Sequence, residues 1–280
     1  MRLVYDETSV KPNTGEPEKL EATEAEEVKP FELSRKIANS SGFQNRDAFL
    51  LANEDQLVAN CTKWAQLYPN IQPYFDVTCN LCPWLLESLA GLDFKFACQN
   101  KIEIQHLLSL DNPKINPNNL CFANPTKMSS AIKTALAHNV ELMAFDNFNE
   151  LKKIQKAGGS KAGAKLLLAL AVPVGNPERD RLWLELLNEA KSLGLNVVGV
   201  SLEKAETEKG SQGYFNKMMA LAKMAFTIGR SLGHDMKILD VGTVTNLDKE
   251  IFDDSLKKHF SGLQVETIGH FGADFIGNTT

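Results

Sequence analysis

The stretch Cys79-Asn80-Leu81-Cys82 places two thiols three residues apart. Such a pair can cycle between dithiol and disulfide, or supply half of a tetrahedral zinc site. Zinc would need a second pair or nearby histidines, and none is placed for it. A thioredoxin-like pair wants its motif at a helix start, and Cys82 does open a helical pattern. Two small, partly buried side chains are the commoner reading. Glu203, Lys204, Glu206 and Glu208 form a second constellation, just past an apolar run. Paired carboxylates can do general acid–base work, although a solvated loop is the commoner meaning of such a run. Asp146 and Asp240 also stand near the ends of apolar runs. Ser40 and Ser41 have no triad context, and G-x-S-x-G, Walker and H-E-x-x-H patterns are absent. His106, His138, His234 and His259 have no metal-binding spacing.

These residues need a scaffold, and the hydropathy pattern supplies one. Eight short apolar runs alternate with amphipathic stretches: PYFDVTC, DFKFAC, NLCFAN, VELMAFD, KLLLALAV, LNVVGVSL, MKILDVG and LQVETIG. The first is expected to be a buried strand from Pro73 through Cys79, ended by Asn80. Pro83 marks a helix start, Asn100 an N-cap and Gly194 a helix stop. Eight strand–helix units predict a (β/α)8 barrel, with a doubly wound sheet as the alternative. The charged run from Glu203 would then lie at the barrel mouth. Upstream, RDAFLLAN reads as a strand. EDQLVANCTKWAQLY reads as a helix with Leu57, Val58, Cys61, Trp64 and Leu67 on one face. Residues 1–30 are polar and acidic and read as a disordered arm, which leaves 31–280 as one barrel domain.

Composition narrows the functional classes. The chain has 280 residues, 43% of them hydrophobic and 23% charged, as in an ordinary globular protein. A net charge of -5 argues against a general nucleic-acid binder, whose surface must be basic. No apolar run reaches the roughly 20 residues that span a bilayer. The N-terminus lacks a secretory core, and five cysteines are an odd number, so a cytoplasmic location with free thiols is expected.

The strings PYFDVTCN, FACQNKIEIQHLLSL, ANPTK, MAFDNFNEL and ILDVG resemble the eukaryotic ornithine decarboxylase family, which includes the antizyme inhibitors. The resemblance runs from about Arg46 to Phe271. It implies an alanine-racemase-like barrel that binds pyridoxal phosphate, with a C-terminal β-domain that is expected to be missing here. It also implies that the chemical positions have changed. Thr78 stands at the Schiff-base lysine, and a hydroxyl cannot form an imine. Ala97 replaces an acidic residue and Ala169 an arginine. Glu203 stands at the ring-stacking histidine and Glu206 at a phosphate-binding serine. Gly242 is the remnant of the glycine-rich phosphate loop. In TIGH, Thr267 replaces the glutamate that pairs with the pyridine nitrogen, and His270 replaces a phosphate-binding arginine.

The expectation is therefore a pseudoenzyme that has lost pyridoxal phosphate and binds no metal. Its expected partner is a protein, either antizyme or a decarboxylase-family subunit. Lys127, Lys133, Lys153 and Lys156 stand where the resemblance places basic residues of an antizyme-binding region, and would form the docking patch. The expected state is a monomer. A barrel enzyme with new, cofactor-independent chemistry is the alternative, and residual pyridoxal phosphate-dependent decarboxylation is another.

Overall fold

The computed structural model describes residues 2–6, 19–21, 30–39, 50–170, 177–202, 212–243 and 249–272. The chain forms two compact units, one of residues 1–67 and 273–280 and one of residues 68–272.

In the first unit, β1 (Arg2–Asp6) pairs antiparallel with both β2 (Lys19–Glu21) and β3 (Leu50–Asn53), in the order β2-β1-β3. Two strands thus lie within the stretch expected to be a disordered arm; residues 7–18 and 22–29 are outside the described residues. α1 (Pro30–Ala38) lies between β2 and β3, and α2 (Glu54–Leu67) follows β3 directly. The Asn53 side chain accepts the Gln56 N–H at 3.1 Å. Glu54 and Asp55 then place negative charge in the first turn of α2, where the helix dipole favours it. Leu57, Cys61 and Trp64 are buried as expected. Val58 and Leu67 are exposed, so the apolar stripe is narrower than the spacing predicts.

The second unit holds the barrel. Its elements are β4 (Ile71–Asp76), α3 (Pro83–Gly91), β5 (Lys95–Cys98), α4 (Lys101–Ser109), β6 (Leu120–Phe122), α5 (Ser129–Ala137), β7 (Leu142–Phe145) and α6 (Phe148–Lys156). They continue as β8 (Lys165–Leu170), α7 (Pro177–Ser192), β9 (Asn196–Leu202), α8 (Gln212–Ser231), β10 (Ile238–Thr243), α9 (Lys249–Phe260) and β11 (Glu266–Phe271). All eight strands are parallel, and β11 pairs with β4 to close the cylinder. This unit begins near Tyr68, so residues 31–67 are not part of the barrel that the sequence pattern assigned to 31–280.

The apolar runs became these strands because a closed parallel sheet is covered on both faces. Leu166 to Leu170 are all buried, with no polar alternation. Inside the cylinder Tyr74, Ala97, Cys121, Leu167, Val198, Ile238 and Ile268 pack as one cluster, so the interior is filled rather than open. Local chemistry ends the helices where expected. Asn100 caps α4 by accepting the N–H groups of Ile102 and Glu103. Buried Glu103 reaches back to the Gln99 N–H at 2.6 Å, one residue before the cap. Gly194 follows α7 at φ +66°, a conformation that suits glycine.

His234 ties α7 to β9. Its Nε2 lies 2.9 Å from the Leu187 carbonyl, and its Nδ1 accepts the Val197 N–H at 3.3 Å. That pairing requires the neutral Nε2–H tautomer, and burial holds its pKa below the usual histidine range. A group depressed in this way stabilises the fold above its unfolded value and loses that contribution as pH falls.

Candidate functional site at the barrel mouth

The C-terminal ends of β4, β9, β10 and β11 bring Asp76, Ser201, Asp240 and His270 to one rim of the barrel. β4 ends at Asp76 because that side chain captures the next turn. Asp76 Oδ1 accepts the Thr78 hydroxyl at 2.6 Å and the Thr78 N–H at 3.2 Å. Val77–Cys79 then form a single 3-10 turn. The strand expected through Cys79 is thus three residues too long. A short carboxylate offers the backbone local hydrogen bonds that compete with the sheet ladder, and here they win. Thr78 is exposed and its hydroxyl is committed to Asp76.

Ala97 and Ala169 are both buried. Ala97 belongs to the interior cluster, and Ala169 pairs in register with Ser201 on β9. Thr267 is buried and brings no charge to the start of β11. Gly242 has φ +68°, and a Cβ there would lie 2.5 Å from the Leu202 carbonyl oxygen. Close packing against β9 is sufficient reason for a glycine at this point. Glu203 and Glu206 lie outside the described residues.

Asp240 is the centre of the rim. Its Oδ2 accepts the Ser201 hydroxyl at 2.6 Å, and its Oδ1 accepts the Gly242 N–H at 2.8 Å. His270 Nε2 stands 3.2 Å from Oδ2, and its ring stacks on Tyr74 at 6.2 Å between centroids. Burial alone would raise the Asp240 pKa, but His270, Ser201 and Gly242 together hold it below the usual carboxylate range. Burial alone would lower the His270 pKa; Asp240, with a further push from Asp76, holds it above the usual histidine range. The result is a histidine–carboxylate pair that can hold or pass a proton. It is not a Ser–His–Asp triad, because Ser201 donates to the carboxylate and not to the imidazole.

The sign of the pH dependence follows. The raised His270 pKa gives stability that is complete below about 6.5, the unfolded value, and is lost as pH rises through the folded value. Asp240 contributes above its unfolded value and loses that contribution under acid conditions. The stability advantage of the native chain over His270→Gln is therefore expected to shrink as pH rises above neutrality. Urea melts of both proteins across that range test this, and a constant difference would contradict it.

The expected docking lysines divide into two groups. Lys133 and Lys156 are exposed on α5 and α6. Lys127 is buried and is not a surface residue. Its Nζ donates to Glu150 Oε1 at 2.9 Å, to the Ala144 carbonyl at 2.5 Å and to the Asn124 carbonyl at 3.1 Å. Burial lowers its pKa, and the Glu150 charge opposes that shift. Glu150 also accepts the Lys127 N–H at 3.1 Å and pairs with half-buried Lys153, whose Nζ bonds the Lys127 carbonyl too. Three ammonium donors met by three acceptors explain how a charge can sit there. Glu150 escaped notice in the sequence because it looks like any first-turn glutamate. The available signal was its place three residues after the N-cap Asn147, which accepts its N–H at 2.9 Å. Ser201 likewise had only its place in the β9 run to mark it.

Cys79 is exposed and Cys82 half-buried, whereas Cys61, Cys98 and Cys121 are buried. Burial pushes the Cys61 thiol up to about 12 and raises Cys98 and Cys121 as well. Among the described residues no group of three or more His, Cys, Asp or Glu could hold a metal ion, and no helix is long and apolar enough to cross a membrane.

The sequence profile of the pyridoxal-dependent decarboxylase, pyridoxal binding domain family matches residues 54–243. The chain is 32% identical over 253 residues to a Dictyostelium discoideum protein named "Probable ornithine decarboxylase", covering 84% of this chain and 53% of that one. It is 29% identical over 224 residues to "Antizyme inhibitor 2" of Xenopus laevis, covering 75% of this chain and 47% of that one. The chain thus spans about half the length of these relatives. Among solved structures, ornithine decarboxylase from Entamoeba histolytica superposes with a TM-score of 0.70 at 20% identity, covering 81% of this chain and 65% of that one, which shows the shared fold. By profile, by relatives and by its closed eight-stranded barrel, the chain belongs to the pyridoxal-dependent decarboxylase family and contains that family's pyridoxal binding domain.

Proposed function

We propose that this chain is a catalytically silent member of the family and works by binding a protein partner. The observation that carries the reading is the described part of the barrel mouth, where Asp76, Ser201, Asp240 and His270 face one another. At the position that the resemblance assigns to the imine lysine, Thr78 has a hydroxyl bonded to Asp76. At the position assigned to the phosphate-binding arginine, His270 is already neutralised by Asp240. A phosphate brought to this rim would meet the Asp240 and Asp76 carboxylates, which repel it. Lys127, the one buried lysine among the described residues, has its three donors occupied. Among the described residues, those at the mouth do not fit pyridoxal phosphate.

The relatives in sequence include proteins named "Antizyme inhibitor 2" of Xenopus laevis and Homo sapiens. Antizyme is therefore the first partner to try, with exposed Lys133 and Lys156 as the docking cations and Lys127 left inside the fold. Titration with pyridoxal phosphate is expected to give no imine absorbance band and no thermal stabilisation. Pull-down with purified antizyme is expected to retain the native chain and to weaken on double replacement Lys133→Glu, Lys156→Glu. Saturable cofactor binding, or antizyme retention unaffected by the double replacement, would contradict the corresponding half of the reading.

The Asp240–His270 pair favours one second reading, proton transfer without a cofactor at the same rim. It requires a small molecule whose stabilising effect on the native chain disappears in His270→Gln.

A further inference from the structure

We infer that Cys79 and Cys82 form a redox-active dithiol at the barrel mouth, which takes a low-molecular-weight disulfide as its co-substrate. The inference is independent of the proposed binding role, since it rests on different residues. The five thiols fall into two classes. Three are buried, with burial opposing the reactive thiolate. The remaining two are the solvent-reachable ones, and they are the two that share a C-x-x-C spacing.

The backbone around them is shaped by local hydrogen bonds. Cys79 closes the 3-10 turn that follows β4. Asn80 Oδ1 accepts the Cys82 N–H at 2.8 Å, which folds the short link between the thiols. His106 Nε2 lies 2.8 Å from the Leu81 carbonyl and anchors that link to α4. Cys82 is the N-cap residue of the nine-residue α3, with Pro83 opening the first turn, at the positive end of the helix. Cys79 Sγ lies against Gly272, where a Cβ would approach it to 3.0 Å. Gly272, just past β11, thus packs close to Cys79, which is an exposed residue.

The chemistry balances with a reagent disulfide as oxidant. One protein thiolate attacks a sulfur of the reagent, its S–S bond breaks, and one reagent thiolate leaves. The second protein thiolate attacks the mixed disulfide at the first cysteine's sulfur, forming the Cys79–Cys82 bond and expelling the second reagent thiolate. Two electrons pass from the protein to the reagent, and the two thiol protons pass to the released thiolates. The product locks the turn that presents Thr78 beside Asp76. Closing the bond requires the two Cα atoms to lie within disulfide reach.

The test exposes the native full-length chain to oxidised glutathione, followed by alkylation of remaining thiols and peptide mapping by mass spectrometry. The expected product is a Cys79–Cys82 cross-linked peptide that is two hydrogens lighter, with Cys61, Cys98 and Cys121 alkylated only after unfolding. Cys82→Ser is expected to stop at a glutathione adduct on Cys79, and Cys79→Ser at an adduct on Cys82. Dithiothreitol should reverse all three. A native chain that carries glutathione without the cross-link overturns the inference. So does a chain in which all five thiols react alike, or one in which neither Cys79 nor Cys82 reacts.

Discussion

Replacing Glu150 by glutamine is expected to cost the fold about 3–5 kcal/mol, the usual penalty for removing one partner of a buried ion pair. The glutamate carboxylate is fully buried and meets Lys127 Nζ, the Lys127 N–H and Lys153 Nζ. Glutamine preserves the shape but takes away the charge that compensates the Lys127 ammonium. That ammonium has no exposed surface, so water cannot replace the lost partner. Equilibrium urea unfolding measures the effect. The internal comparison is Glu185→Gln, which breaks the exposed Arg181–Glu185 pair on α7. An i,i+4 surface pair is worth only roughly 0.3–0.5 kcal/mol, so the two replacements should differ several-fold. A Glu150→Gln loss as small as that of Glu185→Gln would mean that the Lys127 amine is already neutral in the native protein. Lys153→Ala should cost less than Glu150→Gln, because Lys153 is half-exposed and its removal leaves the Lys127 pair intact.

Replacing Gly199 by alanine is the second large effect, and its cause is steric. An added Cβ would fall 1.9 Å from the Ile238 carbonyl oxygen and 2.7 Å from its carbon. Both are backbone atoms of the neighbouring strand β10, with no side chain that could rotate away. Relief requires β9 and β10 to part, which breaks the ladder and opens the filled interior. A loss above about 4 kcal/mol is expected, in the range reserved for disrupted cores and backbones. Gly91→Ala is the matched control. It sits near the end of α3 with nothing within 4 Å of the added methyl group. It should be neutral or stabilising by up to about 1 kcal/mol, because alanine loses less backbone freedom on folding. Far-ultraviolet circular dichroism melts of the two variants decide the matter. A Gly199→Ala protein that melts like the Gly91→Ala protein would mean that the β9–β10 register is not the one described.

The barrel was legible because its strands are buried on both faces. Runs such as KLLLALAV and LNVVGVSL carry no polar alternation, and that is what a covered parallel strand requires. Caps at Asn100 and Pro83 and the stop at Gly194 were legible for a similar reason, since each acts on its own few neighbours. The limits of β4 were not, because Asp76 can either continue a strand or cap a turn, and pattern counts both alike. The β9 register was hidden too: the pairing slips between Leu166 and Leu167, and only the neighbouring strand reveals why Gly199 must be bare.

The chemical positions show the same division. That Thr78 is no amine and Ala97 no acid follows from residue identity alone, because a side chain's functional groups do not depend on the fold. Family membership, and the presence of a barrel to carry those positions, also lay within one-dimensional pattern. What each remaining polar group does was decided only when the barrel closed. Lys127 and Lys133 read alike as lysines in a basic stretch, yet one is sealed against Glu150 and the other faces water. Asp240 and His270 lie thirty residues apart and became partners because β10 and β11 are adjacent strands of the cylinder. Burial and long-range pairing set protonation and availability through desolvation and Coulomb attraction, and both depend on distances that a linear sequence does not contain.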